Sequence, residues 1–223
     1  MSRSPIAPRP VLRSLVATFA VALLLTSCGG DSANQTADQQ QDGPVLAGYE
    51  RDPEPTVGTI TLPAANRDTD AFAFMADPGE LMMVTFGYTS CPDICPTTLA
   101  DMRIAYNQLG DRGNDVSLAW VSIDPERDTA EVITNYVEAF VADGVALRTD
   151  DAEALFVAAD AFAVTYIVQE NDAGELEVAH TPNVFVVDDS GSIVLTWPFG
   201  VPAADMVSDL NILLDRYDAP SAT

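Results

Sequence analysis

The sequence contains no lysine, a single histidine and three cysteines among 223 residues. Each scarcity removes options. Ten basic residues, all of them arginine, stand against 34 acids for a formal charge of −24. No basic face is available to track a phosphate backbone, which argues against a nucleic-acid partner. One histidine also limits metal chemistry. A structural zinc normally takes four protein ligands, and the obvious soft ligands beyond the leader number three: Cys91, Cys95 and His180. A Ser-His-Asp triad could borrow His180, but no nucleophile-elbow sequence accompanies it. Long hydrophobic runs are equally rare. The longest, Leu15 to Leu25, falls short of the roughly 20 residues a membrane-spanning helix needs.

That short run suits the core of a signal peptide, with Arg3, Arg9 and Arg13 as its positive leader. It ends in Leu25-Thr26-Ser27-Cys28, which resembles a bacterial lipobox. The resemblance implies cleavage before Cys28 and diacylglycerol on its sulfur, with membrane attachment through lipid at the extracytoplasmic face of the cell membrane. Assigning Cys28 to lipid leaves one cysteine pair, in a compartment where a disulfide can persist. Loss of the three leader arginines would leave seven against 34 acids, a charge of −27.

The expected organisation is a signal peptide at 1–27, a lipidated cysteine and flexible tether at 28–48, one folded domain at 49–218, and a short tail at 219–223. The tether is rich in Gly, Ser, Asn, Gln, Asp and Thr, and as a coil it would span roughly 25 Å. Within the domain, strands are expected at 57–62, 71–74, 81–86, 116–123, 145–147, 164–169, 184–187 and 193–196. The run Leu81 to Phe86 is continuously apolar, as in a strand covered on both faces. A helix follows the cysteines, with Leu99, Met102, Tyr106 and Leu109 on one side.

Asp128-Thr129-Ala130-Glu131 has capping-box spacing and predicts a second helix, with Asp128 as its cap and Val132, Ile133, Tyr136, Val137 and Phe140 inward. A third helix starts near Asp151 with Leu155, Phe156, Ala159 and Phe162 inward, and a fourth uses Met206, Leu210, Leu213, Leu214 and Tyr217. Asp188-Asp189-Ser190-Gly191 reads as a hairpin turn, while Trp197-Pro198-Phe199-Gly200 reads as core and turn. Strand and helix alternate and close with a hairpin and a helix. The expected fold is therefore α/β and thioredoxin-like: a central mixed sheet flanked by helices, with an N-terminal β extension.

Chemistry concentrates in Gly87-Tyr88-Thr89-Ser90-Cys91-Pro92-Asp93-Ile94-Cys95-Pro96, where a strand gives way to a helix. Asp93 is a candidate N-cap, and Pro96 is tolerated in the first turn. Cysteines four apart share a helix face with Cα atoms roughly 6 Å apart, within disulfide range. The helix N-terminus is expected to lower both thiol pKa values. Thiolate serves two ends, disulfide exchange and metal ligation. The C-x-x-x-C spacing is one residue longer than the usual redox C-x-x-C and opens the pair toward a shared metal. Soft sulfur favours Cu(I), and the imidazole of His180 helps accommodate Cu(II). Thr181-Pro182 before a strand is the position where a cis-proline would face the cysteines in a thiol–disulfide oxidoreductase.

Three segments in order resemble the Sco/SenC copper chaperones: Phe86 to Pro96, Ser122-Ile123-Asp124-Pro125-Glu126-Arg127-Asp128-Thr129, and His180-Thr181 followed by a strand and Asp188-Asp189-Ser190-Gly191. The resemblance spans most of residues 50 to 217. It implies a membrane-tethered metallochaperone that binds one copper through Cys91, Cys95 and His180. The implied target is the binuclear copper centre of subunit II of cytochrome c oxidase, and an upstream copper donor is implied as well. The alternative is catalytic: Cys91 and Cys95 form a redox-active disulfide in a thiol–disulfide reductase that keeps the oxidase cysteines reduced. In the family the acidic loop lies near the metal, which makes Asp124 and Asp128 candidate accessory residues.

Overall fold

The computed structural model describes residues 44–170 and 176–218. The leader, the lipobox with Cys28, the tether up to residue 43 and the tail at 219–223 lie outside the described residues. In chain order the elements are β1 (Thr61–Ala64), β2 (Thr69–Ala73), β3 (Leu81–Gly87), α1 (Ile94–Gln108), a 3-10 turn (Gly110–Asp115), β4 (Val116–Ser122), α2 (Ala130–Phe140), β5 (Val145–Leu147), α3 (Ala152–Ala161), β6 (Tyr166–Glu170), β7 (Leu176–His180), β8 (Val184–Val187), β9 (Ile193–Trp197) and α4 (Ala203–Asp218).

Seven strands make one mixed sheet in the order β2-β1-β5-β4-β3-β8-β9. β3 lies at its heart with every side chain buried, which is why its sequence is continuously apolar rather than alternating. It runs parallel to β4, from Leu81 opposite Val116 to Gly87 opposite Ser122, and antiparallel to β8. β8 returns as a hairpin into β9. In that turn the Asp188 carboxylate accepts from the N–H groups of Ser190 and Ser192, and Gly191 takes a φ of +76°. The hairpin of β1 and β2 joins through the short β5 and is the expected N-terminal β extension. α1 packs on α4, α2 on β5 and α3 on β1. Phe162, at the end of α3, meets Phe74, Phe86 and Phe185 at ring separations of 5.0, 5.3 and 5.1 Å. These edge-on and tilted contacts lock helix and sheet into one core.

The expected thioredoxin-like plan is present, with several local departures. The first two strands lie at 61–64 and 69–73, slightly displaced from their expected positions, and Val57 is buried outside a strand. α3 starts near Asp151 as expected, and Asp151 caps it, accepting from Glu153 and Ala154 N–H. In α2 the cap is Thr129, which accepts from Val132 N–H; Asp128 faces the other way. Val132 and Phe156 are exposed, not inward, because each lies one position off the stripe set by Ile133 and Leu155. β7 was not expected at all. It pairs with β6 as a separate two-stranded sheet, Tyr166 opposite His180, and its largely exposed side chains leave no apolar periodicity to read.

Candidate metal and thiol site

The end of β3 delivers the chain to the site. Gly87 is the last strand residue, and a Cβ there would run into the indole of Trp120 and come within 2.9 Å of Cys95 Sγ. Only glycine lets the strand end pass so close to both. The chain then turns through Tyr88 to Asp93 and enters α1, with Cys91 ahead of the helix and Cys95 in its first turn. Asp93 occupies the N-cap position, but its side chain makes no capping bond. Its main-chain carbonyl instead accepts from the N–H and hydroxyl of Thr97.

The two cysteines are free and differ in environment: Cys91 is half-buried and Cys95 is buried. Cys95 N–H donates to Cys91 Sγ at 3.3 Å. Burial pushes the Cys91 thiol up, but hydrogen bonds from Cys95 N–H, the Cys95 thiol, Asp93 N–H and the Tyr88 hydroxyl outweigh it, and the net shift is downward. Cys95 moves the other way. Burial raises it strongly, and the neighbouring Cys91 adds to the rise against one N–H bond from Tyr88. The expectation that the helix end lowers both thiols therefore holds for Cys91 alone, because desolvation of Cys95 overrides the helix N-terminus. Tyr88 is pushed up to about 12 by burial and by its position beside Cys91.

His180, at the end of β7, approaches from the opposite side of the loop. Its Nε2 lies 3.6 Å from Cys95 Sγ, and its Nδ1 lies 3.0 Å from the Thr181 carbonyl oxygen. A carbonyl can only accept, so Nδ1 carries the proton and the neutral ring turns the Nε2 lone pair toward the sulfur. Burial lowers the His180 pKa against the opposing effect of that carbonyl, which keeps the ring neutral at neutral pH. A neutral imidazole with one nitrogen fixed by a carbonyl and the other aimed at a thiol is the arrangement of a metal-ligating histidine. Thus Cys91, Cys95 and His180, 85 residues apart between the last two, come together. Among the described residues, no group of three or more His, Cys, Asp or Glu side chains stands close enough together to hold a metal ion. The contacts run pairwise, Cys91 to Cys95 and Cys95 to His180.

Asp124 and Asp128 are both buried behind the loop. Asp124 is paired with the Arg127 guanidinium. Asp128 binds Thr89 and Ser122. Neither contacts a cysteine or His180 by hydrogen bond. Among the described residues the one cis peptide bond is Asp52–Pro53, and Thr181–Pro182, whose isomer the sequence leaves open, is trans. Sequence reasoning passed over Tyr88, whose ring stands edge-on to His180 at 6.1 Å under the Arg127 guanidinium. Its place inside the cysteine motif was the signal available. A shallow cavity lined by Thr165, Tyr166, Ile167, Ala179, His180 and Thr181 opens beside the imidazole.

The SCO1/SenC family profile matches residues 65–215. The human mitochondrial SCO1 homolog is 30% identical over 204 residues, covering 86% of this chain and 64% of that protein. Apo Sco1 from Thermus thermophilus has a solution structure 31% identical, with a TM-score of 0.64, covering 76% of this chain and 97% of its own. Bradyrhizobium japonicum ScoI, solved with copper bound, is 27% identical with a TM-score of 0.58, covering 73% and 97%.

Proposed function

The chain belongs to the SCO1/SenC family, and from that premise we propose that it binds one copper through Cys91, Cys95 and His180 and serves assembly of the binuclear copper centre of cytochrome c oxidase. The observation that carries the reading is the His180 geometry: Nδ1 tied to the Thr181 carbonyl, Nε2 aimed at Cys95. Two sulfurs and one imidazole suit Cu(I) and leave Cu(II) accessible. The likeness to a ScoI structure with copper bound supports it. Copper here is cargo. The half-buried Cys91 is the ligand a partner's thiol can reach, while Cys95 and His180 hold the ion from beneath. Subunit II of the oxidase is the proposed recipient, loaded from an upstream donor. Titration of the reduced protein with Cu(I) tests this, expecting one copper per chain and its loss in Cys91→Ala; equal binding by that variant would reject it.

A second reading rests on the asymmetry of the thiols. A lowered, reachable Cys91 beside a raised, buried Cys95 is also the layout of an attacking and a resolving cysteine. As a thiol–disulfide reductase, the protein would attack a partner disulfide with Cys91 thiolate. Cys95 would then displace the reduced partner and leave a Cys91–Cys95 disulfide. His180 is dispensable for that exchange. A His180→Ala variant that reduces a disulfide substrate at the native rate favours it, and absence of exchange by the native protein rejects it.

Attachment through lipid at Cys28, on the extracytoplasmic face of the cell membrane, completes the proposal. No helix among the described residues is long and apolar enough to cross a membrane. A Cys28→Ala variant is expected in the soluble fraction after a salt wash, and continued membrane fractionation would contradict the anchor.

A further inference from the structure

Asp128 is fully buried, yet it does not cap α2 as its sequence suggests. Thr129 caps α2 in its place. Among the described residues no arginine salt-bridges its carboxylate. Arg148 comes near but donates Nε to the Asp128 main-chain carbonyl at 2.7 Å and forms its ion pair with Asp150. Burying a carboxylate without a cation is costly unless hydrogen bonds satisfy it. The donors come from the cysteine loop and from the end of the sheet. Thr89 N–H lies 3.2 Å from both carboxylate oxygens, the Thr89 hydroxyl donates to Oδ1, and Ser122 Oγ donates to Oδ2 at 2.6 Å.

Thr89 stands two residues before Cys91, and Ser122 is the last residue of β4, paired with Gly87. The carboxylate therefore bolts the cysteine loop to the rigid end of the sheet. A second strut comes from the same segment. Asp124 holds the Arg127 side chain, whose guanidinium carbon sits 5.7 Å above the Tyr88 ring. Tyr88 in turn contacts His180 edge-on.

We propose that the Asp124–Asp128 loop is the positioning element of the site: Asp128 through Thr89, and Asp124 through Arg127 and Tyr88, fix where Cys91 stands relative to Cys95 and His180. Asp128 bonds to Thr89 and Ser122 and Asp124 to Arg127, not to a cysteine or to His180. This rests on the reading of Cys91 as a copper ligand, although the contacts themselves belong to the metal-free protein. A carboxylate at 128 accepts from the Thr89 N–H, the Thr89 hydroxyl and Ser122 Oγ together, whereas an asparagine keeps a single acceptor oxygen and would have to donate its own N–H to one of the hydroxyls, reversing that bond.

Amide hydrogen exchange of the metal-free full-length protein tests the contact. In Asp128→Asn, exchange at Thr89 to Cys91 should rise about tenfold over native, the factor expected from losing one hydrogen bond, while the sheet amides keep their protection. Thr89→Ser retains the hydroxyl donor and should exchange like native; Thr89→Val should exchange faster. Thr129→Ala removes the helix cap and serves as the control for general destabilisation, with no selective rise at the cysteine loop. Loaded with Cu(II), Asp128→Asn should still bind one copper per chain with an altered thiolate-to-copper absorption band. Native exchange at Thr89 to Cys91 in Asp128→Asn, or a rise spread evenly over the domain, overturns the proposal. Should Asp128→Asn not fold, the Thr89 pair decides: equal exchange in Thr89→Ser and Thr89→Val overturns it. A native protein that binds no copper would refute the copper reading while the exchange result stood on its own.

Discussion

Two cysteines four residues apart end in opposite states because hydrogen bonds outweigh burial at Cys91 and burial prevails at Cys95. Cys91 has its thiol lowered from the ordinary 9.0 and Cys95 has its thiol raised, so at any pH near neutrality the thiolate fraction belongs to Cys91. A brief alkylation of the reduced, metal-free protein should modify Cys91 and spare Cys95. The Cys91 rate should rise with pH and reach half its maximum below pH 9.0, as read by mass spectrometry of the cysteine peptides. Preferential labelling of Cys95 would contradict the burial argument. Gly87 is the second residue on which the site turns. A methyl group there meets the Trp120 ring and Cys95 Sγ, both fixed in the core. Gly87→Ala should cost about 1–3 kcal/mol of stability through overpacking, measured by denaturant unfolding, and should weaken copper binding with it.

At the scale of elements, the sequence made the apolar framework plain and the polar contacts opaque. β3, β4, β5, the β8–β9 hairpin and all four helices could be read from runs and stripes, because burial writes itself into periodicity. β7 could not. Its residues Leu176 to His180 are mostly exposed or half-buried and form a sheet only with β6, so His180 was placed before a strand when it ends one. Asp128 misled for a related reason. Capping-box spacing is a local signal, whereas its partner Thr89 lies 39 residues away, and no local pattern announces that pairing. The caps provide a check. Thr129→Ala should lower stability by about 1 kcal/mol, and Asp151→Ala by a similar amount, each seen as a shift in denaturation midpoint. The ligand set itself was legible from residue type and motif order. The sequence predicts two lowered thiols and misses their asymmetry, which depends on packing behind Cys95.

For the whole molecule, the acidic balance has an internal consequence as well as a surface one. Asp209, almost fully buried, gathers the N–H groups of Ala47 and Gly48 and the indole N–H of Trp197. With the bridges from Tyr49 to Thr196 and Thr56 to Ser192, it fastens the incoming chain along β9 and onto α4. Asp209→Ala would leave those donors unpaired, and a loss of about 2–4 kcal/mol is expected. Proteolysis should then cut near residues 44–50 before the rest of the domain; a variant as resistant as native would show that the strap does not depend on Asp209. The formal charge of −24 over the whole chain sets its solubility and long-range field without specifying any partner.

The three-ligand site requires that His180 join the cysteines around one ion. The decisive measurement is a copper titration of the reduced protein under anaerobic conditions beside His180→Ala, with Cu(I) followed by chelator competition and Cu(II) by visible absorption. One tightly held copper per chain, with a Cu(II) spectrum that changes when the imidazole is removed, is the predicted result. Weak binding that is indifferent to His180 would contradict the three-ligand site and leave Cys91 and Cys95 as a redox pair.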